Sequence, residues 1–155
     1  MTQQKVNLIT KLQRVQQNTK NIKMNGWNSY SKYKYPLFTD IMDALRPQLE
    51  KENLFLSFNI PHYEVEKDNK NKAQVLVQAQ VQCPETYESM SVDCPGYSED
   101  SNDKAVFQAI TGAKKYAALN LFGINAGDDP EASPSPQELE RSKNKNGGNK
   151  SQQII

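Results

Sequence analysis

Apolar residues return along this chain with two different periods, and the change between them sorts the sequence into elements. Between Asp103 and Ile124, Val106, Ala109, Ile110, Ala113, Ala117 and Leu121 fall on one side of a 3.6-residue helix, while Lys104, Gln108, Thr111 and Lys115 form a narrow polar stripe opposite. Asp103 is expected to cap this helix and Gly123 to end it at positive φ. Another helix is read over 4–19, from Val6, Ile9, Leu12 and Val15 at three-residue steps. A third is expected over roughly 40–52 behind a Thr39 cap, with Ile41, Leu45 and Leu49 inward. Pro47 lies inside it, so a kink or early break is expected near Arg46, and helical spacing would pair Arg46 with Asp43 or Glu50.

From Leu54 the period becomes two. Leu54, Leu56, Phe58 and Ile60 share one face; beyond Pro61 the apolar positions change parity to Tyr63 and Val65, the mark of a bulge or bend. Residues 67–72, KDNKNK, read as a turn, followed by a strand over 73–83 with Ala73, Val75, Val77, Ala79, Val81 and Cys83 on one face and glutamines on the other. A tight Pro84-Glu85 turn would set Cys83 opposite Thr86, Ala79 opposite Met90, Val77 opposite Val92 and Val75 opposite Cys94. That register holds the two cysteines on the order of 25 to 30 Å apart, too far for a disulfide, and both read as reduced core residues. The expected fold is α+β: a three-stranded antiparallel meander with a long packed helix, a β-β-β-α core, and flanking N-terminal helices. Apolar periodicity stops after Gly127, so 1–127 is read as one domain and 128–155 as a disordered tail.

Net charge is only +1, but its distribution is polarised. Residues 1–36 hold Lys5, Lys11, Arg14, Lys20, Lys23, Lys32 and Lys34 and no acid, whereas 37–100 carry five basic and twelve acidic groups. A chain arranged in this way can offer one surface to a polyanion. The most suggestive stretch is KMNGWNSYSKYKYP, where Trp27, Tyr30, Tyr33 and Tyr35 interleave with Lys23, Lys32 and Lys34. Rings stack on bases and lysines meet phosphates, a composition suited to single-stranded nucleic acid. Trp27 and Tyr35 serve equally well as cover for a small core, and Tyr33, between two lysines, is the better stacking candidate. No apolar run is long enough to span a membrane, and a cytoplasmic location is expected.

Two blocks carry a family resemblance. Ile110, Thr111, Gly112, Ala113, Lys114, Lys115, Tyr116, Ala117 and the following Leu-Phe-Gly-Ile-x-x-x-Asp-Asp run resemble the signature helix of the ERF (essential recombination function) family of phage single-strand annealing proteins. Tyr35, Leu37, Asp40, Ile41, Ala44, Leu45, Arg46, Pro47 and Leu49 resemble its other recurrent block, and the likeness extends over roughly 5–129. Gly112 departs from the pattern, since the family often carries a bulkier residue there. The expected core is also similar to the annealing domain of the eukaryotic ring-forming recombination mediators. The resemblance implies a homo-oligomer, ring or filament, that binds single-stranded DNA and anneals complementary strands in the bacterial host without ATP or another cofactor. Its partners would be single-stranded DNA, the annealed duplex intermediate and, through the tail, a host or phage single-stranded DNA-binding protein.

The expected DNA-binding residues are Lys104, Gln108, Thr111, Lys114 and Lys115 from the helix and Lys32, Tyr33 and Lys34 from the loop. Lysines would hold phosphates, Tyr33 would stack, and Gln108 and Thr111 would donate hydrogen bonds to the strand. Other classes are compatible with parts of the same sequence: a coating module without annealing activity, a structural oligomer whose helix stripe is a subunit contact, and a metal nuclease using Asp100, Asp103, Asp128 and Asp129. A nucleotide-hydrolysing site is not indicated, because no glycine-rich phosphate loop precedes Lys114 and Lys115. Two cysteines and His62 make a poor zinc set.

Overall fold

The computed structural model describes residues 5–127. Its elements run α1 (Leu8–Asn18), β1 (Gly26–Asn28), β2 (Tyr33–Tyr35), α2 (Phe38–Lys51), β3 (Phe55–Lys67), β4 (Asn71–Gln82), β5 (Ser89–Asp100) and α3 (Ala105–Phe122). Strands β3, β4 and β5 form an antiparallel meander in that order, and β1 and β2 pair as a separate ribbon. Helix α3 packs on one face of β4 and β5, burying Ala109, Ala113 and Ala117 against Ala73, Val75, Val77, Ala79 and Val81. Small residues along α3 let the helix approach the sheet closely. Gly96 belongs to the same contact: a Cβ there would stand 2.4 Å from the Ala109 carbonyl oxygen and 2.8 Å from the Ala113 Cβ. The α+β meander with its packed helix is therefore the architecture expected from the pattern. The expected tail, 128–155, lies outside the described residues.

Several local expectations are corrected. Helix α1 starts at Leu8 behind an Asn7 cap, whose Oδ1 accepts from the Thr10 amide at 2.9 Å. Its buried stripe is Leu8, Lys11, Leu12 and Val15, and Ile9 is exposed. Strict three-residue steps drift away from a 3.6-residue helix, whereas alternating steps of four and three stay on one side. Lys11 can join that stripe because its ammonium donates to the Glu52 carbonyl at 2.9 Å and pairs with Glu85 at 3.2 Å. Helix α2 begins at Phe38, so Thr39 is not its cap, and it continues through Pro47 to Lys51. Among the described residues Arg46 forms no ion pair; it lines a cleft with Glu50, Leu49 and Phe58.

The bulge appears where Pro61 predicts it: Asn59 pairs with Gln78 and His62 with Leu76, which leaves one extra residue on β3. The next hairpin is shifted by two residues from the expected register, with Val77 opposite Cys94, Ala79 opposite Val92 and Val81 opposite Met90. Pro84 fixes its own φ near −65° and cannot take the positive φ a two-residue hairpin turn requires at its first position. The chain uses a four-residue loop instead, closed by the Cys83 amide on the Glu88 carbonyl and the Tyr87 amide on the Cys83 carbonyl, both at 2.9 Å, with Tyr87 at φ 62°. An even shift keeps the same faces together, so the apolar side is preserved. Cys83 and Cys94 are free and buried.

Candidate nucleic-acid interface

The ribbon β1–β2 is a structured element in a stretch whose sequence predicts a loop. Gly26, Trp27 and Asn28 pair with Tyr35, Lys34 and Tyr33. Asn28 Oδ1 accepts from the Tyr30 and Ser31 amides at 3.0 Å, and Lys32 takes φ 54°, which together turn the chain. The alternation Tyr33-Lys34-Tyr35 was the available signal, but three residues are too short a run to separate a strand from a loop. Gly26 is required by packing: a Cβ would lie 2.5 Å from the Tyr35 ring.

Asp40 fastens both ends of this ribbon. Its Oδ2 accepts from the Leu37 amide at 2.8 Å, just after β2, and from the Asn25 amide at 3.2 Å, just before β1. Its Oδ1 accepts from the Asn25 side chain. Burial pushes the Asp40 carboxyl up, but the bonds from Leu37 and Asn25, helped by Lys23, outweigh it and hold the group below its ordinary value. Sitting in the first turn of α2, the carboxylate also meets the positive end of the helix dipole.

Held in this way, the ribbon lies against α3. Lys115 Nζ stands 5.3 Å from the Tyr35 ring centroid and 4.9 Å from that of Tyr116, and the Tyr33 and Tyr35 rings are 6.1 Å apart. Two cavities open along this seam. One, of 420 Å³, is lined by Lys104, Phe107, Gln108, Thr111, Gly112 and Lys115 of α3 and its cap, and by residues 35–38. The other, of 370 Å³, is lined by residues 27–29, Tyr33, Tyr35, Lys115 and Tyr116. Tyr35 and Lys115 are common to both.

The eight expected residues divide. Lys104, Gln108, Thr111 and Lys115 line one cavity and Tyr33 the next. Lys114 turns to the other flank, 5.7 Å from the Phe58 ring, which itself meets Phe38 edge-on at 5.6 Å. Lys32 is exposed at the ribbon's turn, and Lys34, paired with Trp27, falls by strand alternation on the opposite side from Tyr33 and Tyr35. Trp27 is 56% exposed, whereas Tyr35 is half-buried between Gly26 and Lys115.

Gln108 and Thr111, expected to donate to a bound strand, also make bonds within the domain. Gln108 Nε2 donates to Asp100 at 3.2 Å and its Oε1 accepts from Ser98 at 2.8 Å, which ties α3 to β5. Thr111 donates to the Phe107 carbonyl at 2.9 Å, one turn back. Asp103 does not cap α3; Lys104 occupies that position, and Gly123 ends the helix at φ 60° as expected. Residues that periodicity did not single out are Phe107, which is 69% exposed, and Phe38 and Leu37, which complete the first cavity. Among the described residues no group of three His, Cys, Asp or Glu side chains could hold a metal; Asp128 and Asp129 lie outside them. No described helix is long and apolar enough to cross a membrane.

The structure thus brings lysines and aromatic rings together along one seam of a small α+β domain. Among known families, the model of the ERF superfamily matches residues 8–155. The chain belongs to the ERF superfamily, the family of single-strand annealing recombination proteins. Against the curated proteins it finds no match.

Proposed function

We propose that this protein binds single-stranded DNA along the seam between the β1–β2 ribbon and α3, and anneals complementary strands without nucleotide. The observation that carries the reading is the convergence of two segments about eighty residues apart, with Lys115 of α3 seated over Tyr35 of β2. Lys104 and Lys115 would neutralise phosphates, with Lys32 extending the cationic path at the ribbon's turn. Tyr33 and Phe107 offer faces on which bases stack, and stacking on such rings is sequence-tolerant, as annealing of arbitrary strands demands.

Annealing needs little chemistry from the protein. Phosphate repulsion between two strands must be screened, bases must be kept from self-pairing, and the duplex product must be held differently from the single strand so that pairing drives the exchange. The protein acts here as a binding platform and not as an enzyme. A single domain presents only a few cations to a long strand, so the working form is a homo-oligomer, a ring or a filament, acting in the bacterial cytoplasm. Residues 128–155 would recruit a single-stranded DNA-binding protein.

Mixing complementary oligonucleotides with the protein, without nucleotide, and recording the pairing rate beside the light-scattering mass tests this reading. Accelerated pairing by a multisubunit species is expected. Binding without acceleration would leave a coating module, and a requirement for ATP hydrolysis would overturn the platform mechanism.

A further inference from the structure

Gly112 stands in the middle of α3, where glycine is the poorest helix residue after proline. Close packing accounts for Gly96 on β5. It does not account for Gly112: a Cβ built on it meets nothing within 4 Å. What its missing side chain does is leave open the 420 Å³ cavity between α3 and residues 35–38, a volume within the roughly 300–1,000 Å³ of small-ligand clefts. Phe107, one of the most exposed large apolar residues of the domain, stands at that cavity, beside Phe38 and Leu37.

Rings and aliphatic groups alone would suit many occupants. The charges narrow them, because Lys104 and Lys115 line the same cavity. Lys115 also lines the second cavity, with Tyr33 and Tyr35. Two adjacent recesses that hold aromatic rings and share one ammonium match two successive nucleotides, each base in a recess and the phosphate between them at the shared lysine.

We propose that the cavity beside Gly112 is a nucleobase slot, which takes one unstacked base of the bound strand while its neighbour rests against Tyr33 and Tyr35. This rests on the single-stranded DNA reading above and adds to it that the strand is gripped through a base as well as through phosphates. One base inserted per subunit would break the strand's own stacking at regular intervals. The slot is shaped mainly by apolar and aromatic groups, and stacking on such groups is sequence-tolerant, so it would not discriminate strongly between bases.

The test uses the full chain, a thymidine oligonucleotide, and a strand of equal length whose alternate positions are abasic. Gly112→Leu fills the slot with a good helix former, Gly112→Met is a second filler, and Gly112→Ala leaves most of it open. The wild type should bind the abasic strand on the order of tenfold more weakly, the factor that stacking of one base on a ring carries. Gly112→Leu and Gly112→Met should lose about the same factor on the base-bearing strand, and much less on the abasic one, with melting no lower than wild type and unchanged light-scattering mass. Gly112→Ala, the smallest filler, should lose less than either. If the wild type binds neither strand, the DNA reading itself fails. If it binds and the fillers bind both strands as wild type does, or weaken both equally, the slot is overturned while the DNA reading stands. A filler that changes the mass and not the affinity would assign the cavity to a second copy of the chain, which also overturns the slot.

Discussion

The two faces of the β3–β4–β5 sheet are built from the same strands and differ in almost every physical respect. The side covered by α3 carries alanine, valine and cysteine, and beyond it the helix and ribbon present Lys104, Lys115, Tyr33 and Tyr35. The opposite side carries Gln74, Gln78, Gln80 and Gln82 with Glu64, Glu66, Asp93 and Glu99, against which Lys72 is the cation of the central strand. Gln78 donates to Asp93 at 3.1 Å and Tyr97 to Glu99 at 3.2 Å, so this face is laced together by its own polar groups. A net charge of +1 conceals the contrast, because Glu64, Glu66, Asp93 and Glu99 stand on one side and the aromatic-flanked Lys104 and Lys115 on the other. Phosphates would be repelled by the acids of the glutamine face, and a bound strand would be confined to the helix side.

The largest effect that could break this comparison is charge reversal on the two sides. Lys104→Glu with Lys115→Glu should weaken single-stranded DNA binding on the order of a hundredfold or more, while Lys72→Glu on the glutamine face leaves it unchanged. Replacing the same two lysines by alanine should weaken binding less and flatten its salt dependence by a slope of about 1.4, at about 0.7 for each phosphate no longer neutralised. Affinity at several salt concentrations, read beside light-scattering mass, checks both. Loss of the oligomer with normal affinity would instead make the stripe a subunit contact.

Packing distinguishes the faces next. Gly96→Ala forces a methyl group into the Ala109 carbonyl, the Ala113 Cβ and Val75, and should destabilise the domain by about 1–3 kcal/mol in denaturant unfolding. Tyr97→Ala, one residue away on the open face and 59% exposed in the native side chain, should cost about 0.5 kcal/mol or less. Equal costs would mean that the helix is not seated as described.

Asp40 tests how firmly the ribbon is held to the helix side. Asp40→Ala strands the Leu37 and Asn25 amides and should cost about 1–3 kcal/mol, with a larger loss of DNA affinity than of helix content. Its folded carboxyl lies below the ordinary value of 3.8, so its contribution is complete above that value and is lost as pH falls through the folded one. Stability measured from pH 6 downward should therefore fall more steeply below about pH 4 in the wild type than in Asp40→Asn. Parallel curves would show that the carboxylate's charge is not what fastens the ribbon.

The smallest expected effect is a gain. Gly112→Ala removes a helix-interior glycine without meeting any neighbour, and should stabilise the domain by about 0.5–1 kcal/mol in thermal or denaturant unfolding. A loss would indicate a contact at Gly112 that the described residues do not make.

Periodicity alone sufficed for the main elements. The 3.6-residue repeat of α3, the two-residue repeat of β4, the parity change at Pro61 and the Gly123 stop all act within a few residues, where backbone geometry and side-chain spacing dictate the outcome. The family blocks lie on those same elements, which is why the expected architecture and the ERF membership agree. Partner choice required the tertiary structure. The two-residue shift in the β4–β5 register depends on how the Cys83–Glu88 loop closes, and an even shift leaves the hydrophobic pattern unchanged, so the pattern could not detect it. Gln108 looks available on a helical wheel until β5 brings Ser98 and Asp100 to it. The helical pattern separates Lys115 on the polar stripe from Lys114 beside it, but that Phe58 meets one and Tyr35 the other appears only in the tertiary structure. Local geometry sets which way a side chain leaves its helix; what it then meets is decided by residues far away in the chain, brought there by burial of a common core.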